Sequence, residues 1–94
     1  MIKSYKPATL IHPSAVVSKF ANIGEGTVVL ANSTIQSGAI VGNNVIINAN
    51  CLIDHDTCVE NHSHLSQGTL VGSECLLKES YKSEMGQIIL SGTK

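Results

Sequence analysis

Residues 29–60 read VLANSTIQSGAIVGNNVIINANCLIDHDTCVE, and every sixth residue in that stretch is a branched aliphatic: Val29, Ile35, Val41, Ile47, Ile53 and Val59. The beat runs outward in both directions, to Ile23, Val17 and Ile11 before it and to Leu65, Val71 and Leu77 after it. Ile, Val and Leu supply 26 of the 94 residues, a background too thin to give twelve successive hits by chance. A helix repeats every 3.6 residues and a strand every 2, so neither produces a period of six. Four residues after each aliphatic come Ala15, Ala21, Thr27, Ser33, Ala39, Val45, Cys51, Thr57, Ser63, Thr69, Cys75 and Tyr81, of which only Tyr81 is large.

A coil of short parallel strands around a narrow triangular core accounts for this pattern. With three hexads per turn, residues 18 apart stack, and the aliphatics sort into three matched columns. Ile11, Val29, Ile47 and Leu65 form the first; Val17, Ile35, Ile53 and Val71 the second; Ile23, Val41, Val59 and Leu77 the third. Each aliphatic points inward, and the small residue fits where the chain turns a corner. Gly24, Gly42, Gly72, Asn48 and Asp54 directly follow inward aliphatics, which places turns there. At a strand spacing of ~4.8 Å, four turns make a prism roughly 20 Å tall. The fold class is all-β, a parallel β-helix of hexapeptide repeats. Residues 1–94 read as a single domain, with regular hexads over 11–82 and irregular sequence over 83–94. Ser83 stands where an aliphatic is due, and Gln87 replaces the small residue. The stretch 78–87 is therefore expected to be a loop, a strained turn or a damaged repeat.

A chain this short buries a limited fraction of its surface alone, which favours assembly. Leu52, Leu70 and Ile88 are 18 apart, as are Ile40, Cys58 and Leu76. All six precede the inward position by one residue, so they point outward in stripes, and a triangular prism with such faces is expected to form a homotrimer. Net charge is −1, with no basic run and few aromatics, so the chain has none of the marks of a nucleic-acid platform. Lys3 and Lys6 precede no apolar stretch like a signal peptide, and no span approaches membrane length. Three cysteines without a CxxC fit a reduced, cytoplasmic protein, with Cys51 and Cys75 filling core positions and Cys58 outward.

Chemistry concentrates between residues 47 and 72, INANCLIDHDTCVENHSHLSQGTLVG, where three of the four histidines fall. His55 lies between Asp54 and Asp56. Neighbouring side chains diverge along a strand, but at a corner one of the two carboxylates can face the imidazole, orient it and strengthen it as a base. A zinc site of the γ-type carbonic anhydrase kind needs two histidines five residues apart and a third much earlier. His55, His62 and His64 are separated by seven and two, and His12 stands alone, so no metal is expected.

The opening IHPSAVVSKFANIGEGTVV, the segment VIINANCLIDHD and the following HSHLSQGTLVG resemble the hexapeptide-repeat acetyltransferases, in the branch of sialic acid O-acetyltransferases and UDP-amino-sugar N-acetyltransferases. The likeness covers about residues 10–77. It implies a left-handed coil, against the usual crossover hand, and an acetyl-CoA-dependent acetyltransferase acting on an amino or hydroxyl group of a sugar or nucleotide sugar. By the same resemblance His55 is the general base and Asp56 raises its basicity. His64 and Gly72 contact acetyl-CoA, while Asn48 and Asp54 line the substrate pocket. His62 and His12 carry no catalytic role. Members of that branch begin with a small α/β domain and continue for further coils, neither of which flanks this sequence, so it reads as a truncated member. The alternative is a non-catalytic β-helix fragment with an assembly role only.

Overall fold

The computed structural model describes residues 7–94; Lys3 and Lys6, weighed above for targeting, lie outside them. Strands of two residues recur along the chain: β1 (Leu10–Ile11), β2 (Val16–Val17), β3 (Asn22–Ile23), β4 (Val28–Val29), β5 (Thr34–Ile35), β6 (Ile40–Val41), β7 (Ile46–Ile47), β8 (Leu52–Ile53), β9 (Cys58–Val59), β10 (His64–Leu65), β11 (Leu70–Val71), β12 (Leu76–Leu77) and β13 (Ile88–Ile89). They stack in three parallel sheets. The first face is β1-β4-β7-β10, the second β2-β5-β8-β11-β13 and the third β3-β6-β9-β12. The register between coils is 18 residues, as in Leu10↔Val28, Leu52↔Leu70 and Cys58↔Leu76. The fold is a left-handed parallel β-helix, and no α-helix occurs among the described residues.

The second residue of each strand points inward. From Val29 to Leu77 these aliphatics are fully buried and form one core with Ala39, Val45, Cys51, Cys75 and Ile89. The first coil departs from the expected pattern: Ile11 is exposed, and Val17 and Ile23 are only half buried. Among the described residues that coil has a neighbour on one side only, so its aliphatics lack half of their packing partners. The outward stripes are real and uneven, with Leu70, Ile88 and Ile40 exposed and Leu52, Cys58 and Leu76 half buried.

The corners fall later than the sequence reading placed them. The left-handed backbone residue stands three positions after the inward aliphatic, not one: Gly26, Asn32, Gly38, Asn44, Asn50, Asp56, His62, Gly68, Glu74, Ser80, Gly86 and Gly92. Gly24, Gly42 and Gly72 are glycines for a different reason. A Cβ on any of them would collide with the coil above, at Asn43, Asn61 and Ser91 respectively.

The small residues after each corner also do more than fit. Buried Thr27 Oγ1 donates to Gly42 O at 2.7 Å and accepts from Val45 N at 3.1 Å. Ser33 and Thr57 bridge neighbouring coils in the same way. Cys51 and Cys75, stacked on Ser33 and Thr57, keep the outgoing bond, their thiols donating to Ser66 O and Leu90 O at 3.2 Å each. A buried polar group must be paired, and each of these closes a gap in the ladder between coils.

The stretch 78–87 follows the path of the coil. Ser83 is buried at the inward position, where its hydroxyl accepts from Ser66 N at 2.8 Å and lies 2.7 Å from Thr69 Oγ1. Ser66 Oγ in turn donates to Ser83 O at 2.7 Å. Side chains thus replace one rung of the backbone ladder, and pairing there shrinks to the single bridge His64↔Lys82. Tyr81 packs against the core, and its hydroxyl accepts from Gln87 Nε2 at 3.1 Å. The ladder then resumes in register at β13, Leu70↔Ile88.

Candidate functional site

His55 stands at the corner joining the second face to the third, between β8 and β9. The left-handed conformation of Asp56, φ 57°, turns the chain there; aspartate tolerates it better than most residues. The turn separates the two flanking carboxylates. Asp54 Oδ1 accepts from the His55 backbone N at 2.7 Å, while Asp56 Oδ2 lies 3.0 Å from His55 Nδ1. A carboxylate only accepts, so Nδ1 carries the hydrogen and the lone pair of Nε2 is left free. Both side chains are more than half exposed, at 54% and 64%. The Asp56 hydrogen bond holds the His55 pKa above its ordinary value; loss of hydration opposes it, and the charges of Asp54, Asp56 and Glu74 add to the rise. Glu74 is a contributor that sequence reading missed. It stands 18 residues after Asp56, so the stacking arithmetic places it one coil above.

The other expected site residues divide. Gly72 lies one coil above Asp54 at the same corner, where its carbonyl accepts from Thr57 Oγ1 at 2.7 Å. Asn48 is at the corner between the first and second faces, with Oδ1 accepting from Ala49 N at 2.7 Å. His64 is half buried and faces outward from β10 on the first face, which lies opposite the His55 corner of the triangle. His62 belongs to the third corner. One copy of the chain therefore brings together His55, Asp56, Asp54, Gly72 and Glu74, and it keeps Asn48 and His64 apart from them.

Two other features lie away from this corner. A shallow groove of about 350 Å³ on the third face is lined by Ile40, Gly42, Cys58, Val59, Glu60, Asn61 and Glu79. Burial and the Glu60 charge push the Cys58 thiol up, and burial does the same to Cys51, so neither is a ready thiolate nucleophile. His12 Nδ1 accepts from Ser14 N at 3.0 Å and serves its own turn.

Fold and period define the class, a left-handed parallel β-helix of hexapeptide repeats. Residues 20–55 match the bacterial transferase hexapeptide family (six repeats). The chain is similar to the acetyltransferase domain of PglB from Neisseria gonorrhoeae FA1090 in complex with acetyl coenzyme A, with 34% identity over 94% of this chain and 46% of that one, at a TM-score of 0.59. It is also similar to PerB from Caulobacter crescentus in complex with CoA and GDP-perosamine, with 28% identity over 94% of this chain and 48% of that one, at a TM-score of 0.58. A mutant of perosamine N-acetyltransferase from the same organism, with the same two ligands, matches at 28% identity over 94% and 48%, with a TM-score of 0.60. No curated protein sequence matches significantly. The chain spans a little under half the length of these solved structures. It resembles the hexapeptide-repeat sugar acetyltransferases in period, fold and sequence.

Proposed function

We propose that this chain is the β-helix of an acetyl-CoA-dependent acetyltransferase that modifies an amino or hydroxyl group of a sugar or nucleotide sugar. The observation that carries the reading is the exposed His55–Asp56 pair, which holds one ring nitrogen by a carboxylate and leaves the other free. His55 Nε2 takes the proton from the acceptor amine or hydroxyl as that atom attacks the thioester carbonyl. The new C–N or C–O bond forms, the C–S bond breaks, and the imidazolium returns its proton to the departing CoA thiolate. Asp56 holds the ring and stabilises its charged form. The solved relatives support the ligand class, since they hold acetyl coenzyme A, or CoA together with GDP-perosamine.

In this reading Gly72 and His64 contact acetyl-CoA, and Asn48 and Asp54 line the acceptor pocket. Because His64 lies on the face opposite His55, both can serve one site only if two copies meet, corner to face. A homotrimer does this three times over, and the exposed apolar residues Leu70, Ile88, Ile40 and Ile46 supply material for its contacts. The three free cysteines fit a cytoplasmic location. The test is release of CoA thiol from acetyl-CoA over a panel of UDP- and GDP-amino-sugars, run beside a CoA-binding measurement. Turnover with one class of acceptor is the expected result. Absence of both binding and turnover contradicts the proposal and favours a purely structural coil.

A further inference from the structure

Gly38 lies one coil below Asp56 at the same corner, 18 residues earlier, and Asp56 N donates to the neighbouring Ser37 O at 3.1 Å. Its φ of +78° is left-handed, yet that alone does not demand glycine. Asn32, Asn44, Asn50, His62, Glu74 and Ser80 hold the equivalent conformation elsewhere along the coil. What matters is the group lying over it, an arrangement shared with Gly26, where a Cβ would run into Asn44 Oδ1; over Gly38 that group is a carboxylate that also meets His55. A Cβ at Gly38 would run into Asp56 Oδ1 and would stand 3.1 Å from Asp56 Cγ. The carboxylate thus rests one oxygen in the space that glycine leaves open and turns the other toward His55 Nδ1. Gly68 is the natural contrast. It has nearly the same φ, +75°, but a Cβ there would meet only Gly86 atoms at 3.7 and 3.8 Å, an ordinary contact. Asn50 stands over Asn32, so an Asx residue can sit above a side chain at such a corner.

We propose that Gly38 is a positioning residue for the transfer reaction: the open space above its Cα is the seat that fixes the Asp56 carboxylate against His55. The proposal rests on the His55–Asp56 reading given above and deepens it. A side chain at position 38 tips the carboxylate away, and His55 loses both its orientation and its basicity. The charged groups facing His55 are Asp54 and Asp56 from its own corner and Glu74 from the coil above. The coil below offers uncharged Ser37, with Lys19 a further coil down.

The test is an NMR titration of the His55 ring in the unmodified chain and in Gly38→Ala, Asp56→Asn and Gly68→Ala, with steady-state kinetics on the same proteins. Gly38→Ala is expected to move the His55 titration to lower pH, in the direction of Asp56→Asn, and to lower kcat about tenfold or more with little change in the acetyl-CoA KM. Gly68→Ala carries the same backbone strain and is expected to leave both unchanged. An unmoved His55 titration in Gly38→Ala, with Asp56→Asn shifted, overturns the proposal. Shifted titrations with undiminished turnover uphold the seat and overturn the catalytic reading of the pair, so the two failures are distinct. Should Gly38→Ala not fold, combining it with Asp56→Ala has to restore folding, because the colliding carboxylate is gone. Persistent unfolding of that double variant also overturns the proposal.

Discussion

At the scale of the residue, the chemistry turns on how one corner parts two carboxylates. Asp54 spends an oxygen on the His55 backbone N, whereas Asp56 reaches the ring. A general base must be neutral to act, so its pKa sets the acid limb of the rate profile. Because the folded-state pKa of His55 is raised, the imidazole stays protonated and idle to a higher pH than a free histidine. Activity therefore climbs only as pH passes through that raised value. Asp56→Asn removes the largest cause of the shift, so its acid limb moves to lower pH while the plateau rate falls. Measuring kcat against pH for the two proteins checks both the sign and the partner. An acid limb that does not move assigns the proton transfer to another group.

At the scale of the element, each coil is held by its ladder to the next, and at Ser83 side chains stand in for one backbone rung. The hydroxyl there accepts from Ser66 N and meets Thr69 Oγ1 in a buried position. Ser83→Ala leaves a buried N–H without its acceptor and is expected to cost about 1–3 kcal/mol, read as a lower urea midpoint with an unchanged slope. Loss of stability within error of zero would show that the backbone re-forms the missing rung. The same residue marks where the sequence stopped being legible. The beat of six announced the coil, its three columns and its 18-residue register, because an aliphatic at the inward position leaves a trace in the pattern. A serine at that position reads as a break, since nothing in a hydrophobic period says that a hydroxyl can replace a backbone partner. The corners were misplaced for a different reason. Gly24, Gly42 and Gly72 are conspicuous, but they answer to the coil above them. Nine of the twelve residues that turn the chain are Gly, Asn or Asp, so the signal stood three positions after each inward residue and was passed over for the glycines beside the aliphatics; only His62, Glu74 and Ser80 lack it. His55 and Asp56 were legible because a corner is the one place where adjacent side chains can meet. Gly38 and Glu74 were not read, although counting 18 in either direction from Asp56 finds both.

At the scale of the whole molecule, the proposed site needs two copies. Within one chain the His55 corner and the His64 face lie on opposite sides of the triangle, so no movement of a side chain brings them together. Leu52→Lys with Leu70→Lys puts charge into the apolar stripe of the second face, and sedimentation is expected to show loss of the proposed trimer in favour of monomer or aggregate. A stable monomer in the unmodified protein would remove the shared site. The central claim, however, is that His55 moves the proton, and one comparison tests it most directly. Turnover and acetyl-CoA affinity are measured for His55→Ala beside the unmodified chain, with the acceptor that the amino-sugar panel identifies. The expected result is a fall in kcat of about 10²–10⁴-fold with acetyl-CoA affinity nearly unchanged, as befits a group that acts chiefly in the transition state. An active His55→Ala protein with an unaltered pH profile would contradict the account.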